Sequence, residues 1–410
     1  MAPARPVNRT YLDYNATAPL RPEAHAAALA AMETIGNPSS VHAEGRAARR
    51  IVEDARCEIA RLAGVNFRCV TFASGGTEAA NAALNPLFGA GPNAARLERL
   101  IVSAGEHPCV LSGHRFEAAE VAPLRSDGRI DLDWLADACR RPGRALLALQ
   151  AANNETGVIQ PVAEAAALVH AAGGFLVCDA VQMAGRVDCD IAALGADAIL
   201  LSAHKMGGLN GAGALVTARP EISPGAPLVR GGGQERGARA GTESVATIAA
   251  FGAAVSASCA QMDQEQARLA ALLRRLTAVV RSAAGAAVIF AETAPRLPNT
   301  VSFAIPGVDA ATLMIALDLA GIAVSSGSAC SSGKVAPSHV LAAMGVAPEL
   351  ARGAIRLSLG WASEEGDVER FAQALASVFA RMRTSGRGGT GLRVETALVL
   401  EKLASNSGEV

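Results

Sequence analysis

The stretch Ala198-Ile199-Leu200-Leu201-Ser202-Ala203-His204-Lys205 decides the fold. Its apolar half reads as a short buried strand, and a serine, a histidine and a lysine are released together at its end. Upstream, a second apolar run, Gly174-Phe175-Leu176-Val177-Cys178, ends in Asp179-Ala180-Val181-Gln182. An amine and a carboxylate, each delivered by a strand end, are what a pyridoxal phosphate site needs. The amine forms a Schiff base with the aldehyde, and the carboxylate keeps the ring nitrogen protonated so that the ring accepts electrons. Such a site also requires a phosphate cradle, a group to stack on the ring and a clamp for the substrate.

Strand and helix patterns alternate on both sides of this pair. Residues 45–63 carry Ala48, Ile51, Val52, Ala55, Ile59 and Leu62 at helical spacing, with Arg46, Arg49, Arg50, Arg56 and Arg61 toward water. Short apolar runs follow at 69–73, 99–103, 145–150, 175–179, 197–202 and 213–217, with helical patterns at 78–88, 131–140 and 161–172. Strands joined by crossover helices predict an α/β architecture, a mostly parallel sheet covered on both faces. Ligands on such sheets sit beyond the strand ends, where Asp179 and Lys205 fall. A long amphipathic helix at 262–283 leads to a smaller α+β domain, with strands at 299–305, 322–324 and 354–359 and helices at 309–320 and 365–383. The expected division is a large domain at 16–261 and a small one formed by 1–15 and 262–383. A mobile cysteine loop is expected at 325–336 and a flexible tail at 384–410.

Composition narrows the class. The 410 residues are half apolar and 18% charged, with a net charge of −1, which is ordinary for a globular protein and gives no reason to expect nucleic acid as a partner. Aromatics at 3% also argue against base-stacking platforms. No run of eighteen or more apolar residues is free of charges and breakers, so no membrane span is predicted. The start lacks an apolar leader, and the eight scattered cysteines contain no C-x-x-C pair; both favour a reducing, cytoplasmic setting over a disulfide framework or zinc ribbon.

The remaining chemistry lies at other strand ends. Ser74-Gly75-Gly76-Thr77-Glu78 reads as strand, glycine turn and helix start, a backbone cradle for an anion, although a plain capped turn has the same pattern. His107 could stack on a ring, and Asn154, within Asn153-Asn154-Glu155-Thr156-Gly157, could bond a phenolic oxygen; a surface histidine and an ordinary turn are the bland alternatives. Residues 228–242, rich in glycine and arginine, form an anion-binding loop or a solvated one. Arg356 sits in an apolar strand and needs a partner, either a substrate carboxylate or a structural ion pair. Cys330 lies in the small, polar loop Ser325-Ser326-Gly327-Ser328-Ala329-Cys330, where a thiol could attack and carry cargo outward, or be incidental.

Together these motifs resemble the cysteine desulfurases of the IscS/NifS type, pyridoxal phosphate enzymes of fold type I in the class V aminotransferase group. The resemblance runs from Tyr11-Leu12-Asp13-Tyr14-Asn15-Ala16-Thr17-Ala18-Pro19 to about residue 380, and the Ser-Ser-Gly-Ser-Ala-Cys loop is its most specific part. It implies a large domain with a seven-stranded type of sheet and pyridoxal 5′-phosphate as cofactor. Lys205 would carry the cofactor covalently, Asp179 would pair with the ring nitrogen, and His107 would stack on the ring. Gly76, Thr77, Ser202 and His204 would hold the phosphate, with Thr242 contributed by the other subunit of a homodimer. Asn154 and Gln182 would bind the ring oxygen, Asn37 and Arg356 the substrate carboxylate, and Cys330 would accept the sulfur of L-cysteine. An iron–sulfur scaffold or a sulfur-relay protein would take that sulfur on. No resident metal site is expected; Cys330 could ligate a transferred iron–sulfur cluster. Met206-Gly207-Gly208-Leu209-Asn210-Gly211 departs from the family's usual sequence after the lysine. A selenocysteine lyase or aminotransferase on the same fold, and a non-catalytic binding module, are the alternatives. Residues 392–403 are expected to dock a partner.

Overall fold

The computed structural model describes residues 9–90, 96–326 and 338–384. Seven strands make the principal sheet: β1 (Val70–Ala73), β2 (Arg99–Ser103), β3 (Glu120–Ala122), β4 (Ala145–Gln150), β5 (Phe175–Asp179), β6 (Ala198–Ser202) and β7 (Gly213–Thr217). Their spatial order is β1-β7-β6-β5-β4-β2-β3. The pairs from β6 through β3 are parallel, and β7 runs antiparallel to both of its neighbours. Every residue of β4, β6 and β7 is buried, as expected of strands covered on both faces that read as unbroken apolar runs. Strand β3, Glu-Val-Ala at the sheet edge, is too short and too polar to stand out in the sequence.

Helices α1 (Pro22–Glu33), α2 (Ala43–Leu62) and α3 (Gly76–Ala83) pack around this sheet and its long partner helix. In α2 most of the predicted apolar stripe is buried, Ala48, Val52 and Ile59 completely, while Ile51 is half-buried. Arg56, expected in water, is instead buried: its guanidinium lies over the Phe72 ring and pairs in fork fashion with Glu235, both contacts at 2.7 Å. A charge four residues from a buried valine can face inward only because a distant carboxylate meets it there, which periodicity does not reveal.

The amphipathic helix expected at 262–283 is the second half of a single 39-residue helix, α4 (Val245–Ala283). Its first half is so rich in alanine, serine and glycine that the apolar stripe is diluted. These small residues allow close packing on α1 and α2; a Cβ on Gly252 would lie 2.6 Å from the Ala55 backbone. By length and composition α4 could cross a membrane, yet half of its apolar window is buried inside the protein.

The second half of α4 belongs to a different core, with Leu269, Leu272, Leu276 and Val280 against Val301, Phe303, Leu357 and Phe371. That core covers a four-stranded antiparallel sheet of Val288–Ile289, Thr300–Ala304, Ile355–Ser358 and Ser325–Ser326, in that order. The first described stretch lies beside it, since Thr10–Tyr11 pairs in parallel with Ile322–Ala323 and Asp13 bridges to Ser358. Chain from the amino-terminal segment therefore passes between the two cores and reaches the strand ends carrying Lys205. Cys330, most of loop 325–336 and nearly all of the tail lie outside the described residues.

Candidate active site

The carboxyl ends of the parallel strands converge on one edge. Lys205 closes the 3-10 turn Ala203–Lys205 that follows β6. The chain contains three lysines, at 205, 334 and 402, and Lys205 is the only one among the described residues. Its Nζ donates to the carbonyl oxygens of Asn15 at 2.6 Å and Ala16 at 2.9 Å. Burial, then the charges of Arg356 and Arg186, pull its pKa down to about 8 against the opposing influence of Asp179 and Asp13. A workable fraction of free amine thus exists near neutral pH, as Schiff-base chemistry requires.

Asp179 ends β5, and its Oδ1 accepts a hydrogen bond from the Val181 amide at 3.0 Å. Burial raises its pKa, while that amide and Lys205 oppose the rise. Protein surrounds the carboxyl, yet the side chain keeps accessible surface, so it faces a cleft. Beside it lies the fully buried Glu106, whose Oε1 accepts from the Gln150 amide at 2.7 Å and whose Oε2 has no partner. Burial and the neighbouring Asp179 push Glu106 well above the carboxylate range. Burial pushes both acids up, and Lys205 opposes the rise at Asp179.

His107 caps the short helix Pro108–Leu111, its Nδ1 accepting from the Cys109 amide at 3.1 Å. Burial, then the charges of Lys205 and His339, lower its pKa, so it offers a neutral ring to the cleft. His204 is held lower still, at about 4, by burial and by Lys205; its Nδ1 lies 3.1 Å from Thr17 Oγ1.

The turn Ser74-Gly75-Gly76-Thr77 enters α3, with the unpaired amides of its first turn at the same edge. A Cβ on Gly76 would meet Val181 Cγ2 at 3.0 Å, whereas one on Gly75 would meet open space. A Cβ on Gly213 would lie 2.6 Å from the Gly75 backbone, so the glycines let the strand and the turn approach closely. Glu78 draws the Ser74 amide in at 3.0 Å and is itself neutralised by Arg239. Bare backbone at a helix start, a depressed lysine, a cleft-facing aspartate and a neutral histidine ring fit a phosphorylated pyridine aldehyde.

The other expected residues are distributed unevenly. Gln182 is buried in the cluster, its Nε2 donating to the Asn15 carbonyl at 3.0 Å. Ser202 is buried at the end of β6, and Asn154 is half-buried with its carbonyl accepting from Arg356 Nη1 at 2.9 Å. Arg356 pairs through Nη2 with Asp13 at 2.6 Å, the structural partner considered above, and its buried Nε has no partner. Asn37 and Thr242 are exposed and stand apart from this network. Four residues of the site were not assigned roles from sequence: Asn15, Asp13, Glu106 and Arg186. Asn15 and Asp13 lie in the quoted amino-terminal motif and Glu106 directly precedes His107, so adjacency to a motif was the available signal. Arg186 had none.

The chain matches the aminotransferase class-V family over residues 10–371. It belongs to that family. A cysteine desulfurase of a Frankia strain is 40% identical, covering 91% of this chain and 92% of the relative. An IscS-like cysteine desulfurase of Mycobacterium tuberculosis is 37% identical, covering 93% and 99%. Among solved structures, a NifS-like protein from Rickettsia africae superposes with a TM-score of 0.82 at 32% identity, covering 91% and 99%. Within the class-V family the chain is thus a cysteine desulfurase of the pyridoxal-phosphate-dependent kind, on fold type I.

Proposed function

We propose that this chain takes L-cysteine, releases L-alanine and keeps the sulfur as a persulfide on Cys330, acting as one subunit of a cytosolic homodimer. The bound cofactor supplies an electron sink for the substrate's Cα. Lys205, once free of its covalent role, would take the Cα proton with its neutral amine. Asp179 holds a proton on the ring nitrogen, and neutral His107 covers the ring face. Gly76, Thr77, Ser202 and His204 hold the phosphate, joined by Thr242 of the second subunit. Asn154 and Gln182 orient the ring oxygen. Asn37 and Arg356 fix the substrate carboxylate; the unpartnered Arg356 Nε supports that role. The Cys330 thiolate attacks the substrate sulfur and forms the S–S bond as the Cβ–S bond breaks; the electron pair of that bond stays on the substrate, and Cβ takes up a proton to become the methyl group of alanine. An iron–sulfur scaffold or sulfur-relay protein then receives the sulfur. The presence of one lysine among the described residues, desolvated beside a cleft-facing carboxylate, carries this reading.

The test is incubation with L-cysteine, measuring alanine and sulfide with and without a thiol reductant. Cys330→Ser is expected to stop sulfur release while the protein still binds cofactor. Undiminished alanine formation by that variant would instead favour a lyase that does not use the thiol, and conversion of cysteine to its oxo acid would favour an aminotransferase.

A further inference from the structure

Arg186 is half-buried, with one guanidinium nitrogen fully enclosed. Its Nη1 donates to the backbone carbonyl of Gln182 at 2.8 Å and to the same residue's Oε1 at 2.5 Å. Its Nη2 is buried without a partner, and among the described residues no carboxylate pairs with it. A buried guanidinium without a counter-charge is costly, and burial together with Arg356 lowers its own pKa to about 10. Arg186 and Lys205 also line one cavity of about 30 Å³, with Tyr14, Met206, Glu265 and Trp361. That space has room for about one or two waters.

A hydrogen-bonded path joins the two cations as well. Arg186 holds the Gln182 side-chain oxygen, which turns the Gln182 Nε2 to the Asn15 carbonyl at 3.0 Å. That carbonyl is the acceptor for Lys205 Nζ at 2.6 Å. We propose that Arg186 is a positioning residue for the reaction: clamped to Gln182, it is a fixed positive charge at the rear of Lys205 that favours the free amine over the ammonium. The assignment rests on the role given to Lys205 above and extends it. The other charged and titratable groups facing Lys205 are Arg356, Asp179, Asp13, His107 and His204, with the Arg21–Glu265 pair at the cavity wall. The acids already act to retain the proton, so the arginines are what offset them.

The scarcity of lysine makes the test direct. Full-length protein freed of cofactor is acetylated briefly with acetic anhydride across a pH series, and Lys205 and Lys334 are quantified by peptide mass spectrometry. Wild-type Lys205 is expected to titrate near 8. In Arg186→Met its midpoint is expected to rise by about half to one pH unit, which cuts the reactive fraction near pH 7.5 by roughly three- to eight-fold. Arg186→Lys keeps the charge and is expected to keep the midpoint. Arg186→Gln, which retains a donor for Gln182 without the charge, replaces the methionine variant if that one does not fold. The pH dependence of pyridoxal 5′-phosphate capture, followed by the absorbance of the bound cofactor, is expected to shift in parallel. A folded uncharged variant with the wild-type Lys205 midpoint overturns the proposal, as does an equal shift in Arg186→Lys. Capture of cofactor by Lys205→Ala as fast as by wild type would overturn the functional reading instead, and leaves the acetylation result independent of it.

Discussion

Two arginines that reach into the interior of this molecule, the buried Arg56 and the half-buried Arg186, have opposite surroundings. Arg56 meets Glu235 through both terminal nitrogens, Glu53 through Nε and the Val70 carbonyl through Nη1, and Glu235 also takes the Phe72 amide at 2.9 Å. Arg186 has the two oxygens of one glutamine and an unpartnered nitrogen. The first cluster is electrically complete. It holds Glu235 and Arg236, both with left-handed backbone at φ 48° and 55°, at the base of the glycine- and arginine-rich loop. The second is incomplete in the same way as Arg356 Nε and Glu106 Oε2, and all three lie around Lys205. Burial with full partnership is architecture. Around Lys205, buried hydrogen-bonding capacity left vacant suits a ligand or a shifted proton equilibrium.

The largest expected effect breaks the incomplete side. Lys205→Ala is expected to lower cysteine turnover by about 10³-fold or more, since both covalent attachment and proton transfer are lost; turnover within tenfold of wild type would end the assignment. On the complete side, Glu235→Ala leaves a buried guanidinium stranded and is expected to cost about 3–5 kcal/mol in denaturant unfolding. Pairing it with Arg56→Met should recover much of that loss, because neither charge remains. A double variant no more stable than the single one would show that the pair does more than neutralise itself.

A third test uses Glu155, buried next to Asn154 and accepting from Ser338 Oγ, whose pKa burial raises to about 7. The folded protein holds this proton more tightly than the unfolded chain. Stability from the group is therefore present at low pH and is lost as pH rises from about 4.5 through about 7. The loss amounts to about 3 kcal/mol at most. Glu155→Gln is expected to be the flatter of the two between pH 5 and 8; parallel unfolding profiles would refute it. The smallest effect is at the exposed edge. Asn37→Ala is expected to raise KM about tenfold with kcat nearly unchanged, the loss of about one hydrogen bond to a charged group.

Much of this molecule was legible in its residues. Strands β4, β5, β6 and β7 and the helices at 132–139 and 162–171 follow from unbroken apolar runs and from helical spacing. The cluster of Lys205, Asp179, His107 and the Ser74–Thr77 turn follows from polar residues released at strand ends. What escaped was local and non-periodic. Edge strand β3 is three residues long, Arg56 points inward to a carboxylate 179 residues away, and α4 begins well before its apolar stripe becomes clear.

From the chain alone came the α/β architecture, the lysine, its opposing carboxylate and the family. Each of these depends on patterns within a few residues, which hydrophobic burial and backbone geometry turn into structure directly. Only the folded molecule decided which charges are complete and which are left wanting. That depends on groups brought together from positions 13–16, 106, 179–186, 205 and 356, and a buried charge feels its neighbours in space rather than in sequence.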